Sequence, residues 1–228
     1  MPEVEPGGIQ IQRSGERFLT RGEGTSTRHS FSYGAHYDPA NIGFGQLIAI
    51  NEETVEPGRG YEAHHHADVE IVTWVLEGTL LHEDGAKNRG EITPGLAQRL
   101  SAGSGVRHSE RNASKTEKLR FIQMMLRSEN DGEPAYERCA YERCEVGAGA
   151  KTVSVLNSRA LLVVVRSAAG EMVHVPASPL SYVHVTAGTV SAAEHLLRAG
   201  DALRLTDAGA YDLSAQVAAE VLIWQMRR

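Results

Sequence analysis

The 228-residue sequence predicts an all-β protein built of two similar antiparallel barrels. Three observations carry that reading. Runs with strand character are short and recur at regular spacing, separated by Gly, Pro, Asn and Asp. Helical periodicity is weak throughout. The second half of the chain repeats the pattern of the first.

In order, the clearest strand runs are Phe44 to Ile50, Glu70 to Leu76, Leu119 to Leu126, Thr152 to Leu156, Leu161 to Arg166, Leu180 to Thr186 and Glu220 to Gln225. Turn chemistry separates them: Glu56-Pro57-Gly58, Glu77-Gly78, Glu83-Asp84-Gly85 and Thr93-Pro94-Gly95. Ser191 to Leu197 reads as a short turn or helix, and Ala135 to Arg143 fits neither periodicity. Residues 127–150 are rich in Glu, Gly and Ala and hold Asn130-Asp131-Gly132-Glu133-Pro134, the composition of a connection. The expected organisation is an N-terminal barrel over 1–130, a connection over 131–150 and a C-terminal barrel over 151–228.

The repeat is short but specific. Thr73 to Leu80 resembles Val183 to Val190, pairing Gly78 with Gly188 at an offset of 110. Pro94-Gly95 through Ser101 resembles Ala199-Gly200 through Thr206, pairing Gly95 with Gly200 at an offset of 105. The intervening hairpin is therefore shorter by five residues in the second copy.

Composition excludes several function classes. Twenty-three Lys and Arg against 29 Asp and Glu give a net charge of −6, the wrong sign for a binder of phosphate backbones. No apolar run approaches the ~20 residues of a membrane span. The first residues are acidic and rich in Gly and Pro, unlike a secretory leader. Cys139 and Cys144 are too few for a disulfide framework and read as reduced thiols, so a cytoplasmic location is expected.

The chemistry concentrates in the histidines. His64 and His66 are two apart beside a strand, so both imidazoles point to one side of a pleated backbone and His65 to the other. His108 and Glu110 share the same spacing. Two facing strands would bring three imidazoles and a carboxylate to one point. That donor set suits iron, nickel, copper or zinc better than calcium. Gly103 and Gly105 permit a tight turn ahead of His108.

These residues match a family. Gly58, His64-His65-His66, Glu70 and Gly78 resemble the first cupin motif, with a final spacer one residue longer than usual. Gly105, His108 and Asn112 resemble the second, with Gly103 where Pro is usual. More specifically the chain resembles a pirin. The similarity runs through Phe31-Ser32-Tyr33, His36-Tyr37-Asp38-Pro39, Ile50 to Val55, His64 to Gly78 and Ser101 to Glu110. It is close over about 28–140 and diffuse beyond.

The resemblance implies a bicupin: two antiparallel cupin β-barrels, with one metal site in the N-terminal barrel. It implies His64, His66, His108 and Glu110 as metal ligands, iron as the usual metal and Ni, Cu, Mn or Zn as alternatives. It places Glu70, at the ligand position of ordinary cupins, as a supporting residue or the alternative ligand. It implies a dioxygenase acting with dioxygen on quercetin-like flavonols or related enols, with ring opening, loss of carbon monoxide and Glu110 as ligand and general base. The alternative from the same family is a non-enzymatic metal- or redox-sensing regulator acting through a protein partner.

The repeat bears on the second barrel. His108 and Glu110 correspond to Leu213 and Ala215, and His64 and His66 to His174 and Pro176. Three of the four positions hold no ligand, so that barrel is expected to act as scaffold and lid, with His174 an ordinary strand residue.

Overall fold

The computed structural model describes residues 4–5, 8–85, 89–128, 135–140, 151–154 and 159–228. The chain opens with β1 (Val4–Glu5) and β2 (Ile9–Gln12), a single 3-10 turn at Ser14–Glu16, then β3 (Phe18–Gly22), β4 (Thr25–His29) and β5 (Leu47–Val55). There follow β6 (Gly60–His66), β7 (Val69–Glu77), β8 (Leu80–Asp84), β9 (Arg89–Ile92), β10 (Leu96–Ser101), β11 (Val106–Asn112), β12 (Leu119–Arg127) and β13 (Ala135–Ala140). The remainder is β14 (Lys151–Ser154), β15 (Ala160–Ser167), β16 (Met172–Val175), β17 (Leu180–Ala187), β18 (Thr189–Ala192), β19 (His195–Arg198), β20 (Ala202–Thr206), β21 (Tyr211–Ala215) and β22 (Ala219–Met226). No helix among the described residues is long and apolar enough to cross a membrane.

These strands form two compact units, each of two antiparallel sheets in a jelly roll. The first unit, from Phe18 onward, has a sheet of order β13-β10-β7-β12-β5-β4-β3 facing β6-β11-β8-β9. The second has β1-β2-β20-β17-β22-β15-β14 facing β16-β21-β18-β19. The central order β10-β7-β12-β5 reappears as β20-β17-β22-β15, which is the structural form of the repeat. Its glycines carry the same strain in both copies. Gly78 and Gly188 have φ of +81° and +76°, and Gly95 and Gly200 have +90° and +88°. A Cβ on Gly78 would lie 2.7 Å from the Lys118 carbonyl oxygen, and one on Gly188 at 2.1 Å from that of Ala218. Only glycine suits both the backbone conformation and the close approach.

The interiors of the two units differ. In the second, one continuous apolar cluster joins Val173, Val175, Val190, Leu213 and Ala215 of the small sheet to Val163, Val183, Leu203 and Ile223 of the large one. Among the described residues of the first, apolar clusters are separated. One holds Val55, Val75, Leu80, Ile92, Leu119 and Phe121; another holds Ala49, Ile71, Leu100 and Met125. Between them the same strands present a buried polar row. Gln123 of β12 lies opposite Asn51 of β5 and Thr73 of β7, Thr73 opposite Gln98 of β10, and Asn51 opposite His29 of β4. Burying such groups is unfavourable unless they are paired or used, and the polar row faces the sheet that carries the histidines.

The structure departs from the sequence reading in three places. Residues 1–130 are not one unit: β2 pairs with β20, so Ile9 to Gln12 belong to the second unit. The equivalent edge of the first unit, on β10, is taken by β13 from within the expected connection. An edge strand goes where unpaired backbone groups await it, and chain position does not decide which edge that is. Ser191 to Leu197 holds a turn but no helix: Ala193-Glu194, with Ala193 at φ 50°, closes a hairpin between β18 and β19.

Candidate metal centre

The centre is built on β6, β8 and β11, hydrogen-bonded in that neighbourhood as β6-β11-β8. His64 lies directly opposite His108, and His66 opposite Val106. The strand pleat therefore aims His64, His66 and His108 to one side, as their spacing requires. Their ring centroids are 4.5 Å (His64–His108), 4.9 Å (His64–His66) and 5.0 Å (His66–His108) apart. One donor nitrogen from each ring lies within 4.8 Å of the others.

The hydrogen bonds show which nitrogen is available. His64 Nδ1 is 2.8 Å from the Glu62 carbonyl oxygen, which can only accept, so Nδ1 carries the proton and Nε2 the lone pair. The Nε2 atoms of His66 and His108 are buried and have no hydrogen-bond partner. Burial, then the neighbouring imidazoles, pushes His66 down to about 4 and His108 further down. These rings stay neutral near pH 7 and present lone pairs.

A bulge in β6 follows: after His64 opposite His108, Tyr61 rather than Glu62 lies opposite Glu110. The extra residue turns Tyr61 inward, where its hydroxyl donates to Glu53 Oε2 at 2.5 Å, as does that of Thr27. Glu110 is fully buried, and Gln123 Nε2 donates to its Oε1 and Oε2 at 2.9 and 2.8 Å. Burial raises Glu110 to about 7 against the pull of Gln123, with Glu53 adding to the rise. Glu53 is raised to about 7 by burial as well. A buried carboxyl at neutral pKa lacks a counter-charge, and a divalent cation beside Glu110 would supply one. Orphaned imidazole nitrogens and an uncompensated carboxyl are a donor set that fits such an ion.

The comparisons agree with that chemistry. A family model described as pirin matches residues 9–126, and one described as quercetinase C-terminal cupin domain matches 147–226. A protein of Mycobacterium tuberculosis named "Putative quercetin 2,3-dioxygenase Rv0181c" is 40% identical over 231 residues, spanning 96% of this chain and 95% of its own. The chain belongs to the pirin family. The protein of Escherichia coli K12 named quercetin 2,3-dioxygenase is 38% identical over 135 residues, covering 59% of this pirin and 58% of itself. The structure of the bacterial pirin YhhW from Escherichia coli in complex with nickel(II) superposes with a TM-score of 0.89 at 29% identity. It covers 96% of this chain and 99% of that one.

The remaining residues of this pirin sort as follows. Glu70 is buried, and Ser101 and Ser128 hydroxyls donate to its Oε1 at 2.8 and 3.0 Å. It is not among the donors brought together with the histidines. His65 is exposed and packs over Gly105. His174 is exposed on β16, its Nδ1 2.7 Å from Asp212 Oδ1, while Leu213 and Ala215 fill the apolar core of the second unit. Cys144 lies outside the described residues.

His82 was missed by sequence reasoning. It is fully buried on β8 directly opposite Glu110, and its donor nitrogen lies within 4.8 Å of donors on His108 and Glu110. The available signal was period-two alternation, which places Leu80, His82 and Asp84 on one face. Reading Glu83-Asp84-Gly85 as a turn concealed it.

Proposed function

We propose that this pirin is a metal-dependent dioxygenase of quercetin-like flavonols or related enols, with one divalent metal held by His64, His66, His108 and Glu110. The observation that carries the reading is the convergence of three imidazoles, two with buried and unpartnered Nε2, beside a buried carboxyl whose pKa is pushed to about 7. The relative named "Putative quercetin 2,3-dioxygenase Rv0181c" spans 96% of the chain, a model described as quercetinase C-terminal cupin domain matches residues 147–226, and this pirin is an enzyme of that oxidoreductase class. Iron is the proposed metal. Nickel, bound in the Escherichia coli relative, suits the same nitrogen and oxygen donors, as do copper, manganese and zinc.

When bound, the metal supplies Lewis acidity and open coordination positions for an enolate and dioxygen. The protein's own residues do the rest. Glu110 takes the proton of the enolic hydroxyl and can return it. Gln123 fixes the carboxylate by donating to both oxygens. The apolar clusters to either side of the polar row restrict water at the site.

A regulatory role through a protein partner is the second reading. Tyr37 and Ile42, 75% and 52% exposed, lie on the connection between β4 and β5 and offer apolar surface to such a partner. Anaerobic and aerobic incubation with quercetin separates the two. Loss of the flavonol absorbance that requires dioxygen, releases carbon monoxide and disappears in His108→Ala supports the enzyme. Full metal loading with no turnover of quercetin or simpler enols sinks it.

A further inference from the structure

At one point in the centre two ring nitrogens face each other. His108 Nδ1 lies 3.4 Å from His82 Nδ1, with both rings buried and their centroids 4.9 Å apart at 55°. Two neutral imidazoles can share that contact only if one nitrogen carries a proton and the other a lone pair. A proton on His82 Nδ1 would leave the lone pair of His108 at Nδ1 and its proton at Nε2. That proton would sit among the donors of His64 and His66, where Nε2 has no acceptor. The reverse arrangement keeps the His108 lone pair at Nε2, among those donors, and puts the His82 proton at its own Nε2.

Resting on the metal-centre reading above, we propose that His82 is a positioning residue. Its Nδ1 accepts the Nδ1–H of His108, which fixes the tautomer and ring orientation that turn the His108 Nε2 lone pair toward the metal. A ligand imidazole is commonly held by a carboxylate or carbonyl on its other nitrogen. The Glu62 carbonyl does this for His64; for His108 the acceptor is another imidazole. The backbone sets the contact. β8 and β11 are paired with His108 opposite Asp84 and Glu110 opposite His82, so His82 sits diagonally across from His108 on the same inward face.

The test uses cobalt(II) as the probe, on the full chain, with affinity read by competition against a chromophoric chelator and geometry by the visible spectrum. His82→Ala should weaken cobalt binding ten- to a hundredfold and perturb the spectrum, the range for loss of an orienting partner. His82→Asn, whose amide oxygen can accept the same proton, should recover most of both. Nitrogen-15 NMR of the metal-free wild type should show His108 as the Nδ1–H tautomer, a readout that needs no variant to fold. His82→Ala binding within twofold of wild type overturns the proposal. So does the opposite tautomer, or a folded His82→Asn as weak as His82→Ala. Cobalt loss equal to that of His108→Ala, with one fewer imidazole by X-ray absorption, overturns it by making His82 a ligand. Wild-type protein that takes up no cobalt overturns the metal centre itself, a result distinct from all of these.

Discussion

Two buried glutamates stand close in sequence logic to the role of fourth ligand, and their surroundings differ. Glu110 has donor oxygens within 4.8 Å of His108 and His82 donors, whereas Glu70 is held by the hydroxyls of Ser101 and Ser128. The perturbation is Glu→Gln at each, which keeps size and removes charge. A four-ligand zinc site in small domains is worth roughly 10–16 kcal/mol, or about 2.5–4 kcal/mol per donor. Losing Glu110 as a ligand should thus weaken metal binding about 60- to 700-fold, at ~1.4 kcal/mol per tenfold. In Glu70→Gln the amide oxygen still accepts from both serines, so metal affinity should stay within about threefold and stability within ~1 kcal/mol. Competition titration with nickel(II), alongside thermal unfolding of the metal-free proteins, reads both quantities. Equal loss of affinity in the two variants, with both still folded, would refute the assignment of Glu110 over Glu70.

Other outcomes follow from the same geometry. Glu53 is raised to about 7, above its unfolded carboxylate value near 4.5, so its contribution to stability is present at low pH and lost as pH rises toward 7. Glu53→Gln should therefore stabilise the metal-free protein at pH 8, by at most ~3 kcal/mol, and leave it little changed at pH 4. Equal effects at both pH values in thermal unfolding would contradict the buried-acid account. Gly188→Ala should destabilise by roughly 1–3 kcal/mol or more, because φ is +76° and a Cβ would meet the Ala218 carbonyl; denaturant unfolding reads this, and a neutral result would count against the shared turn. His65→Ala should bind nickel within about twofold of wild type, since that ring is exposed and faces away from the other two; a tenfold loss would place His65 in the centre.

Much of the centre was legible because strand parity is a short-range rule. His64 and His66 share a face with His108 and Glu110 because each pair is two residues apart on a paired strand. The positive-φ glycines at 78, 95, 188 and 200 marked the repeat through backbone geometry that other residues resist. Leu213 and Ala215 announced an apolar second interior. What was hidden was non-local. Ile9–Gln12 carries only four residues of alternation, and nothing in them says that β20 offers the free edge. Ala135–Ala140 is rich in charge and reads as linker until β10 pairs with it. The hairpin at Ala193 hid because its turn uses alanine where glycine or asparagine is usual. His82 hid behind an acidic turn signal, and its burial follows only once β8 is paired beside β11.

The central claim is that one unit holds one metal and the other unit, filled with valine and leucine, holds none. Metal content of the protein purified without chelators and reconstituted with iron(II), set against the same measurement on His64→Ala and His108→Ala, tests it directly. The account predicts about one metal per chain in the wild type and near zero in both variants, with all three folded. Two metals per chain, none after reconstitution, or undiminished metal in both variants would contradict it.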